Sequence, residues 1–379
     1  MIKRKPGRVL ALFRCAVAPA RPTAREACRR RKRARTREAR VSTPFAAILA
    51  ALSMLGAAPL LDCTAALSAE DIFKGKTINL IIAAGEGGGF DIAARLTAQH
   101  LGRFLPGRPT IVPQNMPGAN GIRATEYIFR VAPRDGLTIG LLQPLAVLDK
   151  VLDPSVRYEP QDFTWIGRLN PSISYGVSWH TAPVRSIEQA KETKLTLAAG
   201  SPLGPAWMVP QALNRLAGTK FAVIKGYPSA TDQGVAMERE EVEGMGSTSE
   251  EYLIDRGWIE PKRVNVLYTI GRERRPLAPD TPTVLELMKN ERDRNVMKLI
   301  ASGMEIGRAF VAPPAIPQAF AAALRQGFAQ MLQDADFLAD ARRRNIQIEP
   351  LAPDRLAELV KEAIGMPEDV MEQTRAATR

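Results

Sequence analysis

Between residues 77 and 364 the chain alternates short apolar, β-branched runs with longer amphipathic ones, and this alternation restricts the fold more than any other feature. The short runs predict strands at 77–83, 110–114, 138–142, 164–169, 174–179, 195–199, 221–225, 242–245, 264–268 and 307–311. Helical spacing predicts helices at 91–104, 121–130, 187–192, 205–216, 230–238, 249–257, 283–288, 291–302, 316–332, 335–344 and 354–364. Strands that alternate with helices build α/β layers, with mainly parallel sheets covered on both faces. The helices gather after residue 282, an order in which the C-terminal run packs back onto the first part of the chain. Loops rich in Gly, Ser and Pro follow strands in both halves. Ligands of open α/β sheets lie beyond the carboxyl ends of the strands. Two sets of such loops therefore predict two α/β lobes that face each other across a cleft.

The first 68 residues follow a different rule. A net charge of +12 by itself points to nucleic acid or an acidic membrane. Residues 1–68, however, hold 15 of the 52 Lys and Arg residues and 3 of the 40 acids, which leaves 37 of each sign beyond them. That neutral remainder has no overall electrostatic reason to bind nucleic acid. The basic stretch leads into an Ala/Leu-rich segment, Phe45 to Leu61, and then to a small-x-small site at Ala66-Leu67-Ser68. This is the order of a cleaved signal peptide with Ala69 as the first mature residue, and it predicts a periplasmic location. The stretch is 17 residues, with Gly56 and Pro59 near its end, and falls short of the roughly 20 that a spanning helix needs. Asp62 stands where a lipoprotein signal has a small residue, which argues against an anchor at Cys63. The long basic stretch fits a translation start later than Met1, near Val41. Cys15, Cys28 and Cys63 all precede the cleavage point, so a mature chain of 311 residues (379 less 68) has no disulfide and no thiol chemistry.

The strand-end loops hold the candidate site. The first, Gly85-Glu-Gly-Gly-Gly-Phe-Asp91, lies between a strand and a helix. Glycines let a backbone approach a ligand, and a helix start offers free N–H groups and a positive dipole end, so the segment reads as a cradle for a small anion. Gly87, Gly88, Gly89 and Phe90 are its candidate contacts, and Asp91 is expected as the N-cap of the helix. Nucleotides are excluded. Phe90 stands where a dinucleotide fingerprint needs its third glycine, no acid occurs between 92 and 125 to hold a ribose, and no Gly-Lys-Ser/Thr follows. The second loop, Asn115 to Gly121, offers backbone donors at Gly118, Ala119, Asn120 and Gly121. Gly200 and Ser201 in the third and Tyr227 in the fourth are further candidates, Ser201 as a hydroxyl donor and Tyr227 as an aromatic wall or a phenol donor. Gly246-Ser-Thr-Ser249 is a fifth candidate. Each also has a plain reading, as a tight turn, a capped helix at Ser229 or a core tyrosine.

Catalytic machinery is not evident. The two histidines, His100 and His180, are far apart in sequence and have no metal-ligand spacing. The acidic run Glu238 to Glu243 reads as a solvated helix end, and neither Gly-x-Ser-x-Gly nor His-Glu-x-x-His is present. No metal, cofactor or catalytic residue is expected.

In their order, Gly87-Gly-Gly-Phe-Asp91, Pro117-Gly-Ala-Asn-Gly121 and Ala132-Pro-Arg-Asp-Gly136 carry a resemblance. So do Asp162-Phe-Thr-Trp-Ile-Gly167, Gly226-Tyr-Pro-Ser-Ala230, Ala236-Met-Glu-Arg239 and Asp280-Thr-Pro-Thr283. Over residues 74–365 the chain resembles the solute receptors of the tripartite tricarboxylate transporters, also called the Bug family. The resemblance implies a type II periplasmic-binding-protein fold: two α/β lobes joined by crossing strands around a ligand cleft. Lobe 1 would be 69–170 plus 276–379 and lobe 2 would be 171–275. It also implies a ligand carboxylate held by backbone amides of the first two loops, often through waters, which would put water near Asp91. Glu86 and Glu240 depart from the family pattern. The resulting expectation is a monomeric receptor that captures a small carboxylate (a di- or tricarboxylate, an amino acid or an aromatic acid) and hands it to membrane transporter subunits. Two alternatives reuse this fold. An effector-binding regulator would need a helix-turn-helix where residues 1–68 show charge and Ala/Leu, and an enzyme would need a nucleophile–base pair.

Overall fold

The computed structural model describes residues 72–379, so the leader, its cleavage site and its cysteines lie outside the described residues. Ten strands form two five-stranded sheets. The first sheet has the order β2-β1-β3-β10-β4 and uses β1 (Thr77–Ile82), β2 (Thr110–Asn115), β3 (Thr138–Leu141), β4 (Thr164–Arg168) and β10 (Ala309–Ala312). The second, β7-β6-β8-β5-β9, uses β5 (Ser174–Trp179), β6 (Leu195–Ala199), β7 (Phe221–Lys225), β8 (Gly244–Ser249) and β9 (Val264–Ile270). The helices are α1 (Gly89–Leu101), α2 (Ile122–Arg130), α3 (Asp149–Leu152), α4 (Gln189–Glu192), α5 (Pro205–Leu216) and α6 (Ala230–Glu238). They continue with α7 (Glu250–Asp255), α8 (Glu291–Ile306), α9 (Gln318–Met331), α10 (Ala335–Arg343), α11 (Pro353–Ile364) and α12 (Glu368–Thr378). None of the described helices is long and apolar enough to cross a membrane.

β1 shows why its residues form an interior strand. Its side chains alternate: Ile78, Leu80 and Ile82 enter one apolar cluster with α1, α9 and α10, and Ile81 enters another with α2, α8 and α11. Both faces are covered, so the run is almost continuously apolar, as parallel strands require. Burial of each such Ile or Leu side chain stabilises the fold by about 1.5–3 kcal/mol. The second cluster continues through Leu195, Leu197 and Met208 of the second sheet and α5, so one core underlies both layers.

The sheets are mixed, which corrects the expectation of mainly parallel ones. β1 pairs in parallel with β2 and β3, and β6 with β7 and β8. β10 runs antiparallel between β3 and β4, and β5 antiparallel between β8 and β9. The cause is the crossing of the chain. It leaves the first sheet after β4, enters the second by β5, and returns through α8 into β10 from the opposite end. At the return, Gly307 (φ +58°) passes so close to the outgoing segment that a Cβ there would lie 2.4 Å from the Asn170 carbonyl.

Three other expectations change. β8 begins two residues later than expected and runs to Ser249, so Gly246 to Ser249 is strand, not a ligand loop. Thr248 is buried there and paired with Tyr175, and Gly246 lies against the backbone of Ala206. Residues 283–288 are not helix: Thr283 bridges to Thr269 of β9, the Val284 amide donates to the Thr269 carbonyl, and 284–287 form turns. Finally, α12 is a helix the sequence reading left out. It buries Val370, Thr374 and Ala377.

Candidate ligand-binding site

The four loops follow the carboxyl ends of β1, β2, β6 and β7, and a chain of contacts joins them. In the first, α1 begins at Gly89 with Gly88 as an extended N-cap (φ −85°, ψ 168°) and no side chain capping it. Asp91 is therefore not the cap but lies within the first turn. The glycines let the helix start two residues before its apolar periodicity does. The buried Asp91 carboxylate instead accepts hydrogen bonds from the Gly87 amide (2.9 Å), Asn115 Nδ2 (2.8 Å) and Arg95 Nε (2.9 Å). Burial alone would raise this carboxyl. The bonds from Arg95, Gly87 and Asn115, with the Arg95 charge, outweigh it and hold the group below its ordinary value. Asp91 is thus an ionised, internally neutralised tie between the first two loops. The Gly87 amide is taken, whereas the first-turn amides of α1 have no partner within the helix.

The second loop is strained. Gly118 (φ +129°), Ala119 (φ +46°), Asn120 (φ +53°) and Gly121 (φ +92°) all have positive φ. For Ala119 this costs on the order of 1–3 kcal/mol, a burden that clusters at ligand clamps; asparagine tolerates it better. Gly121 has no alternative, because a Cβ there would lie 2.6 Å from Gln143 Cγ and 3.2 Å from the Ala83 carbonyl. Its amide closes the turn onto the Gly118 carbonyl (2.9 Å), so the expectation that it donates to a ligand is corrected. The amides of Gly118, Ala119 and Asn120 make no such turn bond.

Asn120 then reaches the other sheet: its Nδ2 donates to the Leu203 carbonyl at 3.0 Å. In the third loop the Ser201 hydroxyl oxygen accepts from the Leu203 amide (3.2 Å), which leaves its hydrogen to donate elsewhere. α5 starts after Gly204 with Pro205 in its first turn and no side-chain cap. The third and fourth loops touch through the Tyr227 amide and the Ala199 carbonyl (3.3 Å), and Gly200 has no room for a Cβ beside the Tyr227 carbonyl. Tyr227 is half-buried against the core of the second sheet.

One contrast separates these helix starts. α1, α2 and α5 each begin after a glycine with no side-chain cap, whereas α6 is closed by a capping box between Ser229 and Asp232. In the fourth loop the Ser229 and Asp232 amides are thus taken by the capping box. Glu86 is exposed, and Glu240 (φ +59°) lies in a surface turn where it accepts from the Thr181 hydroxyl. A neighbouring cavity of ≈ 290 Å³ is lined by Leu152, Leu203, Trp207, Lys225 and Arg375. No residue of the first two loops lines it, so it is not the anion cradle. Among the described residues no cluster of His, Cys, Asp and Glu is arranged to hold a metal.

Arg308, at the amino end of β10, escaped the sequence reading. It is 2 % exposed, its Nη1 donates to Glu251 Oε1 (2.7 Å) and Asn170 Oδ1 (3.2 Å), and its guanidinium carbon lies 5.2 Å from the Phe90 ring centre. Burial would raise the Glu251 carboxyl, but the Arg308 charge and hydrogen bond outweigh it and keep Glu251 ionised. This ion pair joins a residue of the first sheet to the helix after β8. The available signal was a charge abutting the apolar run Ala309 to Ala312.

No family model matches the chain, and no curated protein matches it. Solved structures do. A TctC solute-binding protein from Polaromonas shares 17 % identity over 78 % of this chain and 98 % of its own, with a TM-score of 0.57. The periplasmic binding protein BugD shares 20 % over 79 % and 97 %, with a TM-score of 0.61. MatC from Rhodopseudomonas palustris, with bound malate, shares 20 % over 80 % and 99 %, with a TM-score of 0.60. The chain has the two-lobed α/β fold of these solute-binding proteins.

Proposed function

We propose that this chain is a receptor of the TctC and Bug kind, which captures a small carboxylate outside the cytoplasm and delivers it to a tripartite tricarboxylate-type membrane transporter. The observation that carries the reading is the ring of loops. Asp91–Asn115, Asn120–Leu203 and Tyr227–Ala199 link loops from both sheets, and three of the helices they lead into start at uncapped glycines. Amides at helix starts favour an anion without needing a net charge, by about 0.3–1 kcal/mol each when exposed and up to roughly 2 when partly buried. A carboxylate among them gains several such terms, which a sugar or a cation does not. The bound malate of MatC supports the carboxylate class.

The working mechanism is lobe closure, with 69–170 plus 276–379 as one lobe and 171–275 as the other. Ligand donors come from both lobes, so the ligand stabilises the closed form and shifts the population toward it. The transporter reads that form. The protein acts as a monomer without catalysis, and the leader ending at Ser68 exports it. A thermal-shift screen against mono-, di- and tricarboxylates, amino acids and aromatic acids tests the class. Carboxylates raise the melting temperature; a shift by a sugar or a cation with none by any carboxylate overturns the reading. Sequencing of the exported protein is expected to begin at Ala69.

A further inference from the structure

We infer that Arg308 is the charged partner of the ligand: a carboxylate is gripped side-on by its guanidinium together with the first turn of α1. The inference rests on the carboxylate reading above and adds a guanidinium, paired on its Nη1 side with Glu251, to a cradle otherwise made of amides.

A guanidinium carries five N–H donors in a fixed fork, and a buried one needs acceptors for most of them. The side-chain hydrogen bonds of Arg308 both leave from Nη1, toward Glu251 and Asn170. Its Nε is buried with no acceptor. The Nε and Nη2 hydrogens lie parallel along one edge of the group, and that edge matches the two oxygens of a carboxylate. Nη2 sits at the start of α1: a Cβ on Gly89 would lie only 3.0 Å from it. Gly89 thus admits the guanidinium at the first turn of α1, a turn whose amides have no side-chain cap. The guanidinium carbon also lies over the Phe90 ring, 5.2 Å from its centre, within cation–π range.

Glu251 has the complementary part. It comes from the helix after β8 in the second sheet and binds the opposite side of the guanidinium, at Nη1. It fixes the orientation of Arg308 without using the side-on edge. The grip is complete only when the two sheets are together, because Arg308 belongs to one and its orienting carboxylate to the other. The ligand end that reaches this floor must carry a full negative charge, since a carboxamide offers the fork one oxygen and no charge.

Calorimetric titration of the full chain and its variants with malate, succinate, citrate, glutamate and benzoate tests this. Arg308→Met is expected to weaken the acids that bind the wild type by about 10–100-fold, the size of a lost bidentate charged contact, and Arg308→Lys to restore part of that. An Arg308→Met protein that is folded and binds with unchanged affinity overturns this inference and leaves the carboxylate reading standing. Should Arg308→Met not fold, Arg308→Lys decides: a folded lysine variant that loses about threefold or more in affinity supports the fork contact, and one that binds within about twofold of the wild type overturns the inference. Failure of all five acids to bind the wild type overturns both.

Discussion

Gly88→Asp separates the cradle from the fold. Gly88 is the N-cap of α1 in extended backbone, φ −85° and ψ 168°, which is the conformation a capping aspartate prefers. A Cβ there meets nothing within 4 Å. The new carboxylate would cap α1, which improves on glycine by a few tenths of a kcal/mol, with about 0.3–1 more from the helix dipole. Asp91 lies one turn on, but Arg95 already neutralises it. Stability should therefore stay within about 1 kcal/mol of the parent. Binding should not. The introduced group takes the amides meant for the ligand and repels its charge. At about 4 Å that repulsion is about 1 kcal/mol in bulk water and about 4 at an effective dielectric of 20, which converts to roughly 5-fold to roughly 1000-fold in affinity. Gly88→Asn caps the helix without the charge, so it should lose only the part due to competition for amides. Thermal denaturation and calorimetry with the acid that binds the parent measure both quantities. A folded Gly88→Asp protein whose affinity stays within about twofold of the parent would refute the cradle.

Other perturbations test neighbouring parts of the argument. Burial raises the Asp149 carboxyl to about 7 from an ordinary 3.8, against the lowering effect of its hydrogen bond from Tyr158. The folded state holds that proton more tightly, so stability is full below about pH 4 and falls as the pH rises through about 7. Asp149→Asn should remove up to about 4 kcal/mol of that loss, less the cost of an unmatched amide; parallel stability–pH curves for variant and parent would contradict this. Asn120→Ala removes the contact with the Leu203 carbonyl, so the ligand-free protein should open, seen as a larger radius of gyration in X-ray scattering; an unchanged radius would show that the contact does not hold the lobes. Gly121→Val places a branched side chain at φ +92° against Gln143 and should cost at least about 2 kcal/mol in urea denaturation; a neutral result would mean the turn is not fixed as described.

Much of the architecture was legible because periodicity records burial. The alternation in β1, the apolar faces of the helices and the glycine loops after strands are local patterns, and the structure has strands at β5, β6 and β7 with the expected bounds. The loops also fall at the carboxyl ends of strands, as expected. What was misread depended on partners far along the chain. Gly246 to Ser249 looks like a loop by composition, yet it is strand because β5 supplies a hydrogen-bonding edge and α5 leaves room only for glycine. Residues 283–288 have helical spacing, but bonds to Thr269 hold them.

The candidate site divides the same way. Sequence alone determined that the chain is α/β, that its charge excess belongs to the first 68 residues, and that glycine-started helices follow several strands, because each of these is written in neighbouring residues. Tertiary structure alone decided which amides are spent and which are left. Asp91 takes the Gly87 amide, and Gly121 closes its own turn. Asn120 spans to Leu203, and Arg308 meets Glu251 across 57 residues. The physical reason is that a hydrogen bond or an ion pair depends on distance in space, and only the crossing of the chain between two sheets brings those pairs to 3.0 and 2.7 Å.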